Sequence, residues 1–464
     1  MTVDVLFIKP DFNDIAVMPP IGLGYLSAIL RNKGMPVAVH DNTLLRYDDA
    51  RLGSLVRELK PKVVGLYAAT PMIRRAEAIV KLVREIDPGI LTVLGGPHPT
   101  CTAPETLQFC DVVVIGEGEE TLPELMDRFL GGSRDFTGIR GCAFKDMAGE
   151  VRINPPREIL RDLDAVPFPD FQHMPIELYL KNGNTYGITQ RTPRSLPIMA
   201  SRGCPSTCTF CQRFLGKKFR VRSAANIVDE LAFWKEKYRI DEFNFLDDNF
   251  TLVKKHVLDV CEMIHQRGLN IKFRFPNGVR EDFLDEEILD ALKSVGCYHL
   301  DFGIESGSQK VLDIMKKGKQ LSKIVEKVYL CKKAGFKVSS SFLFGTPGET
   351  LADMEETIRF AVSLPLDSAC FSLVMPFPGT EIRAEAIQKG YLVHSDYEDY
   401  TMSLDNIRPA LATPDWNGED ILRMIRKANR RFFVRPKQVL KLLPSLVNPV
   451  NIKRYVVSFL KTLR

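Results

Sequence analysis

Apolar positions along the chain fall into two blocks in which strand-like and helix-like patterns alternate. Residues 3–8, Val-Asp-Val-Leu-Phe-Ile, read as a buried strand. After Pro19 and Pro20, an apolar periodicity runs from Ile21 through Leu30 and predicts a helix that Gly34 ends. Val37–Val39, Val63–Tyr67, Leu91–Leu94 and Val112–Ile115 are further short strands. A helix with Ala76, Ile79, Val80, Val83 and Ile86 on one face lies among them. Strands alternating with helices predict an α/β, doubly wound, Rossmann-like parallel sheet. Ligands of such sheets sit at the carboxyl ends of the strands.

Residues 151–195 are punctuated by Pro155, Pro156, Pro167, Pro169, Pro175 and Pro193 and read as a linker. A second alternating block starts at Leu196. Its strands are Pro197–Ala200, Phe243–Leu246, Lys272–Phe275, His299–Ile304, Lys337–Phe344 and Phe371–Met375, with a helix over about 224–237 after the first. Six strand–helix units predict a partial (β/α)6 TIM-like barrel with its site residues at the strand ends. The expected organisation is therefore 1–150 as a first domain, 151–195 as linker, 196–385 as barrel and 386–464 as a C-terminal basic helical region.

Composition narrows this picture little. The chain has 464 residues, is 45% hydrophobic and 26% charged, and carries a net charge of +5, which does not suggest a nucleic-acid partner. Its distribution is more telling. Residues 421–464 hold 12 Lys plus Arg and no acid, leaving −7 on residues 1–420. With apolar positions such as Leu442, Leu446, Val456 and Leu460, this tail reads either as a membrane-surface or lipid contact or as a helical cap with a solvated basic face. No apolar run is long enough to span a membrane. Ten cysteines without a secretory signal fit a reducing, cytoplasmic setting.

Three of those cysteines carry the chemistry. Ser201 to Phe214 reads Ser-Arg-Gly-Cys-Pro-Ser-Thr-Cys-Thr-Phe-Cys-Gln-Arg-Phe, so Cys204, Cys208 and Cys211 have the spacing C-x3-C-x2-C. Thiolates select iron–sulfur clusters, zinc or copper(I). A structural zinc site wants a fourth ligand, and none follows at finger spacing. Three thiolates on one loop suit a four-iron cluster with one iron open. Gly203 and Pro205 keep the loop out of helix, and Phe210 can cover one side of the site. The plain alternative is three structural or disulfide cysteines. The other seven, Cys101, Cys110, Cys142, Cys261, Cys297, Cys331 and Cys370, are scattered and read mostly as small buried hydrophobes.

Strand ends add polar residues. Leu94 runs into Gly95-Gly96-Pro97-His98-Pro99-Thr100, and Ile115 into Gly116-Glu117-Gly118-Glu119. Glycines there let backbone approach a ligand, although tight turns and helix caps would use them as well. No G-x-G-x-x-G or P-loop is present. In the second block the strand ends carry Asp247-Asp248-Asn249, Arg280, Glu305-Ser306 and Gly345-Thr346-Pro347-Gly348-Glu349.

The three-cysteine loop resembles the cluster motif of radical S-adenosylmethionine (radical SAM) enzymes. There the open iron is chelated by the methionine part of SAM, and one electron cleaves the sulfonium to a 5′-deoxyadenosyl radical. The resemblance covers about 196–385 and implies that Glu305 and Ser306 bind the SAM ribose. Leu343, Gly345, Gly348 and Glu349 match the family's G-x-I-x-G-x-x-G-E pattern near the adenine, with Ser341 replacing its first Gly. Asp247, Asp248 and Asn249 take the place of the strand-two motif, in the form seen with cobalamin partners. Arg280 could pair with the SAM carboxylate or make an ordinary salt bridge. Residues 1–135, with Pro-Pro-Ile-Gly-Leu near residue 20, Gly95, Gly96, His98, Gly116, Glu117 and Gly118, look like the cobalamin-binding domain found ahead of many radical SAM domains. The D-x-H-x-x-G motif that ligates cobalt from below is absent, and of the seven His only His40 and His98 lie at plausible loop positions.

The resemblance implies an enzyme that uses a [4Fe-4S] cluster, SAM and cobalamin to methylate an unactivated carbon of a small molecule or lipid. An electron donor such as flavodoxin or ferredoxin is implied with it. The alternatives are a cyclase or oxidoreductase of the same architecture, a methylthiotransferase, or a non-catalytic corrinoid carrier. The catalytic residues themselves are not identified by the sequence.

Overall fold

The computed structural model describes residues 2–12, 17–181, 191–192, 194–394, 397, 400, 408–436 and 438. The chain divides into two compact units. The first is Met1–Asn184 with Gln212–Arg222 and Asp396–Thr401; the second is Thr185–Cys211 with Ser223–Ser395 and Met402–Arg464.

In the first unit, β1 (Val5–Lys9), β2 (Val37–Asp41), β3 (Val63–Tyr67), β4 (Leu91–Gly95) and β5 (Val112–Val114) are parallel. β6 (Cys142–Lys145) and β7 (Val151–Ile153) add antiparallel at one edge, giving the order β2-β1-β3-β4-β5-β6-β7. The periodicity predicted the five parallel strands and not the last two. Because both faces are covered, successive residues of β1 feed two separate cores. Leu6, Ile8, Val64 and Leu66 pack with Ile79 and Val83, while Val5, Phe7, Val63 and Val93 pack with Leu23, Leu122 and Leu125. Each such side chain contributes about 1.5–3 kcal/mol on burial. The order reverses between β1 and β3, and their carboxyl ends frame the crevice where ligands of such sheets bind.

The proline-punctuated stretch read as linker contributes β7 and the helix Ile176–Lys181 to this unit, with Phe171 and Tyr179 fully buried. Tyr179 donates to Asp41 Oδ2 at 2.8 Å. His40 lies within β2 rather than in a loop, because the parallel ladder with β1 continues through it, pairing it with Ile8.

The second unit has a six-stranded parallel sheet. Its strands are Ser195–Ile198, Glu242–Phe245, Lys272–Val279, Cys297–Glu305, Lys337–Phe344 and Ser368–Leu373, paired in strict sequential order. These are the predicted six to within a few residues, and the predicted helix spans Ala224–Tyr238. Outer-face aromatics weld the sheet to its cover. Phe371 stacks on Phe342 at 5.3 Å and meets Phe432 edge-on at 6.0 Å. Phe432 belongs to the helix Gly418–Phe433, started by an Asn417–Asp420 capping box. That helix buries Ile421, Met424, Ile425 and Ala428, while Lys427 and Arg431 pair with Glu355. The described start of the basic region is thus a packed cap. Residues 439–464 lie outside the described residues.

Candidate active site

The first barrel strand delivers the cysteine loop. Asp247, just past the second strand, accepts from Ala200 N at 3.1 Å and Ser201 Oγ at 2.5 Å, fixing where the chain leaves the sheet. Burial pushes its carboxyl up to about 7 against these hydrogen bonds. Gly203 then turns at φ +82°. Further along, Thr209 N donates to Met315 O at 3.0 Å, Ile382 N donates to Thr209 O at 3.1 Å, and Cys211 N closes a turn on Cys208 O at 3.3 Å. The loop is therefore held from both sides. Cys208 is buried, Cys204 half-buried and Cys211 solvent-accessible. Burial, then the charges of Cys208 and Asp248, with Cys204 adding the same way, push the Cys211 thiol up to about 12. The three thiols are thus near enough to act on one another electrostatically. They form no single-ion ligand group among the described residues. Thiolates of a four-iron cluster bind different irons and stand farther apart than ligands of one ion, so this donor set fits the cluster.

The remaining barrel candidates gather at the carboxyl ends of the strands. Asp248 is accessible within a recess where desolvation still raises its carboxyl, opposed by the Gly203 backbone. Asn249 is buried; its Oδ1 accepts from Thr251 at 3.4 Å and its Nδ2 has no partner among the described residues. Glu305 ends the fourth strand at φ +71°, a conformation non-glycine residues rarely adopt. Lys317 holds it there at 2.8 Å with both groups buried. A Cβ on Gly303 would stand 2.5 Å from Glu305 Oε1 and 3.1 Å from Lys317 Nζ, so glycine is needed for the carboxylate to lie back over the strand. Lys317 Nζ also sits 5.4 Å from the Phe210 ring centre. Burial works against its charge, yet Glu305 and Cys208 outweigh it and raise the ammonium above its usual range.

Other candidates are occupied within the protein. Arg280 forms a two-pronged pair with Asp282 at 3.0 and 2.6 Å, the ordinary salt bridge foreseen as its alternative. Its remaining nitrogen reaches Ser206 in the cysteine loop at 3.1 Å. Ser306 Oγ is bonded to Thr357 and accepts from Ser308 N. Glu349 accepts from Gly345 N at 2.7 Å and Thr346 N at 3.0 Å, bracing the Gly345–Gly348 turn, and its carbonyl accepts from Trp416 at 2.9 Å. Burial raises its carboxyl to about 8.

In the first unit, Gly95 and Gly96 end β4. Gly96 has φ +107°, and a Cβ there would stand 2.9 Å from Ala68 O, so the turn requires glycine. Gly116, at φ +78°, would place a Cβ in open space and leaves bare backbone at the end of β5. An open, glycine-lined edge fits a large planar ligand. Gly118 instead allows close packing against Leu26. Glu117 receives Arg220 Nη1 at 2.9 and 2.8 Å and Leu160 N at 3.0 Å, a buried structural clamp. His98 is buried at the start of the short helix Pro97–Cys101, not in an open loop. Its Nδ1 lies 3.2 Å from Thr70 Oγ1, and Tyr397 packs edge-on at 4.6 Å.

Sequence reading missed Lys317, Thr70 and Tyr397. The run Lys316-Lys317-Gly318-Lys319 was a signal for the first; the others are brought in only by tertiary packing.

These features define an α/β protein with a nucleotide-type sheet and an open barrel carrying a three-thiolate loop. Residues 198–361 match the radical SAM superfamily, and residues 16–126 match the B12 binding domain. The chain is 34% identical over 428 residues to an uncharacterised methyltransferase of Pyrococcus horikoshii, covering 91% of this chain and 89% of that relative. It is 28% identical to cytidylyl-2-hydroxyethylphosphonate methyltransferase of Streptomyces wedmorensis, covering 90% and 86%. Its fold is similar to that of TsrM, a radical SAM methyltransferase from Kitasatospora setae solved with cobalamin and a [4Fe-4S] cluster. The TM-score is 0.70 at 24% identity, over 84% of this chain and 79% of that one. The chain belongs to the cobalamin-dependent radical SAM methyltransferases. Its cofactors are a [4Fe-4S] cluster, SAM and cobalamin. No helix among the described residues is long and apolar enough to cross a membrane.

Proposed function

We propose that Cys204, Cys208 and Cys211 hold the cluster, that the barrel mouth around Glu305, Lys317, Gly345 and Asp248 receives SAM, and that the Gly95–Gly96 and Gly116 edge of the first sheet receives cobalamin. The reaction is methylation of an unactivated carbon. The observation that carries this reading is the placement of all three cysteines on one short loop pinned by Asp247, Thr209 and Met315. When bound, the cluster and SAM supply one-electron sulfonium cleavage, and cobalamin carries the methyl group.

The chain's own part is positioning. Asp247 orients the loop, Phe210 shields one side, and Lys317, which interacts with Cys208 and Cys211, holds the Glu305 carboxylate fixed. Ser306 and Glu349 keep strand ends four and five in shape; Asn249, with a spare buried amide, and Arg280, reaching the loop through Ser206, are the remaining candidates for SAM contacts. In the first unit Glu117 and Gly118 set the loop that shows Gly116 to the ligand, and His98 lies beneath as a packed residue.

The reading further includes residues 1–150 as the cobalamin domain, a cytoplasmic location and a reductant such as flavodoxin or ferredoxin. It includes a small-molecule or lipid substrate, no nucleic acid, and peripheral membrane contact through residues 439–464.

Anaerobic reconstitution tests it. Wild-type protein should hold about four iron and turn SAM over to 5′-deoxyadenosine, and Cys208→Ala should lose both. Retention of iron and turnover by the triple alanine variant would refute the assignment. Transfer of an isotope-labelled methyl from SAM to product separates methylation from cyclisation or oxidation by the same architecture.

A further inference from the structure

The inner face of barrel strands four to six is built unlike a packed barrel core. In the fifth strand Val338, Ser340, Phe342 and Phe344 are buried on the outer face, whereas Ser341 is exposed and Leu343 half-exposed on the inner one. In the sixth strand Ala369, Phe371 and Leu373 are buried outward, while Cys370 is exposed and Ser368 and Ser372 are half-exposed. The register places these inner residues in rows. Asp301, Ser339 and Ser368 form one; Gly303, Ser341 and Cys370 form the next; Leu343 and Ser372 lie above. A closed barrel fills such rows with Val, Ile and Leu. Here small hydroxyl residues, a glycine and a thiol leave the upper rows open, with Ser339 buried beneath them.

The floor of this space is acidic. The Asp301 side chain is 24% exposed; its Oδ1 lies 3.4 Å from His299 Nε2, and its Oδ2 is itself buried with no hydrogen-bond partner among the described residues. His299 bonds Ser339 Oγ at 2.7 Å, and burial keeps its imidazole toward the neutral form, so it brings no strong positive charge. The nearby cations are engaged: Arg274 with Asn244 and Glu242, and Lys317 with Glu305. Lys337 is exposed at the opposite end of its strand. Cys370, although accessible, lies deep. Desolvation, then the charges of Glu305 and Asp301, raise its thiol.

We propose that the inner face of strands four to six is the substrate chamber, and that it takes a cationic, hydrogen-bonding head such as a protonated amine, held by Asp301 with the hydroxyl of Ser341 on the neighbouring strand. A carboxylate lacking a full set of partners is satisfied by a charged donor, and hydroxyl-lined rows suit a polar head rather than an alkyl chain. This rests on the methyltransferase reading above, since it assigns that enzyme's substrate class.

Cys370 is a built-in reporter. Holoprotein reconstituted with iron, sulfide and hydroxocobalamin is treated with cationic 2-aminoethyl or anionic 2-sulfonatoethyl methanethiosulfonate. The thiol becomes a mixed disulfide as methanesulfinate leaves, and peptide mass spectrometry reads the modification at Cys370 itself. Relative to a free thiol, the cationic reagent should be favoured by about ten-fold or more. Asp301→Asn should bring the preference down toward the free-thiol ratio, and Ser341→Asp should raise it. A wild-type preference no greater than that of a free thiol, an unchanged ratio in Asp301→Asn, or a Cys370 unreactive to both reagents would each overturn the proposal. If Asp301→Asn does not fold, the wild-type ratio and Ser341→Asp decide. Iron content, cobalamin content and SAM turnover of the same preparation report separately on the methyltransferase reading.

Discussion

Glu349 shows how a residue can match a motif and still do mechanical work. Its side chain ties Gly345 N and Thr346 N into one turn, and it is completely buried. Unfolded, the carboxyl loses its proton near its ordinary value of 4.5; folded, burial holds the proton to about 8. Between those values the unfolded chain binds fewer protons, so this group's contribution to stability falls as pH rises through that window. Glu349→Gln, which cannot ionise, should flatten the pH dependence of the denaturant midpoint between pH 5 and 8. An unchanged slope would show that Glu349 is not buried as described. Glu117 makes the opposite case. Its partner Arg220 is buried with it, so Glu117→Ala strands a charge and should cost about 3–5 kcal/mol, read by thermal unfolding. A role in ligand contact alone would leave stability unchanged.

At the scale of elements, the end of β4 carries the clearest expectation. The missing D-x-H-x-x-G leaves His98 as the residue able to contest cobalt, but the helix Pro97–Cys101 buries it between Thr70 and Tyr397. Electron paramagnetic resonance of bound Co(II) should therefore lack nitrogen splitting from His98, and His98→Ala should leave the spectrum unchanged. Splitting that disappears in the variant would place the imidazole under the metal. Strand ends were well marked in the sequence because both periodicities, 2 and 3.6, are local. β6 and β7 were not, since a pair of short edge strands alternates weakly and is defined by its partner. Glu305 was legible as a candidate, whereas its dependence on Lys317, twelve residues on, was not.

Across the whole chain, charge is the uneven quantity. The basic region begins as a packed helix whose Lys427 and Arg431 are used on Glu355, so its apolar face is not free for a membrane. The proposed lipid contact is therefore placed in residues 439–464. Their removal should weaken binding to anionic vesicles in a salt-sensitive way, measured by co-sedimentation; equal binding by full-length and shortened chains would exclude that contact.

The sequence by itself determined the two α/β blocks, the order of their principal strands and the three-thiolate loop, because periodicity and ligand spacing are written in neighbouring residues. The tertiary structure decided which candidates have partners within the chain. Arg280 with Asp282, Glu117 with Arg220 and Ser306 with Thr357 are matched to partners 2, 103 and 51 residues away. It also brought Asp301, Ser341 and Cys370 onto one face. Parallel strands meet only after a helix has carried the chain back, so no local pattern records which residues become neighbours across them.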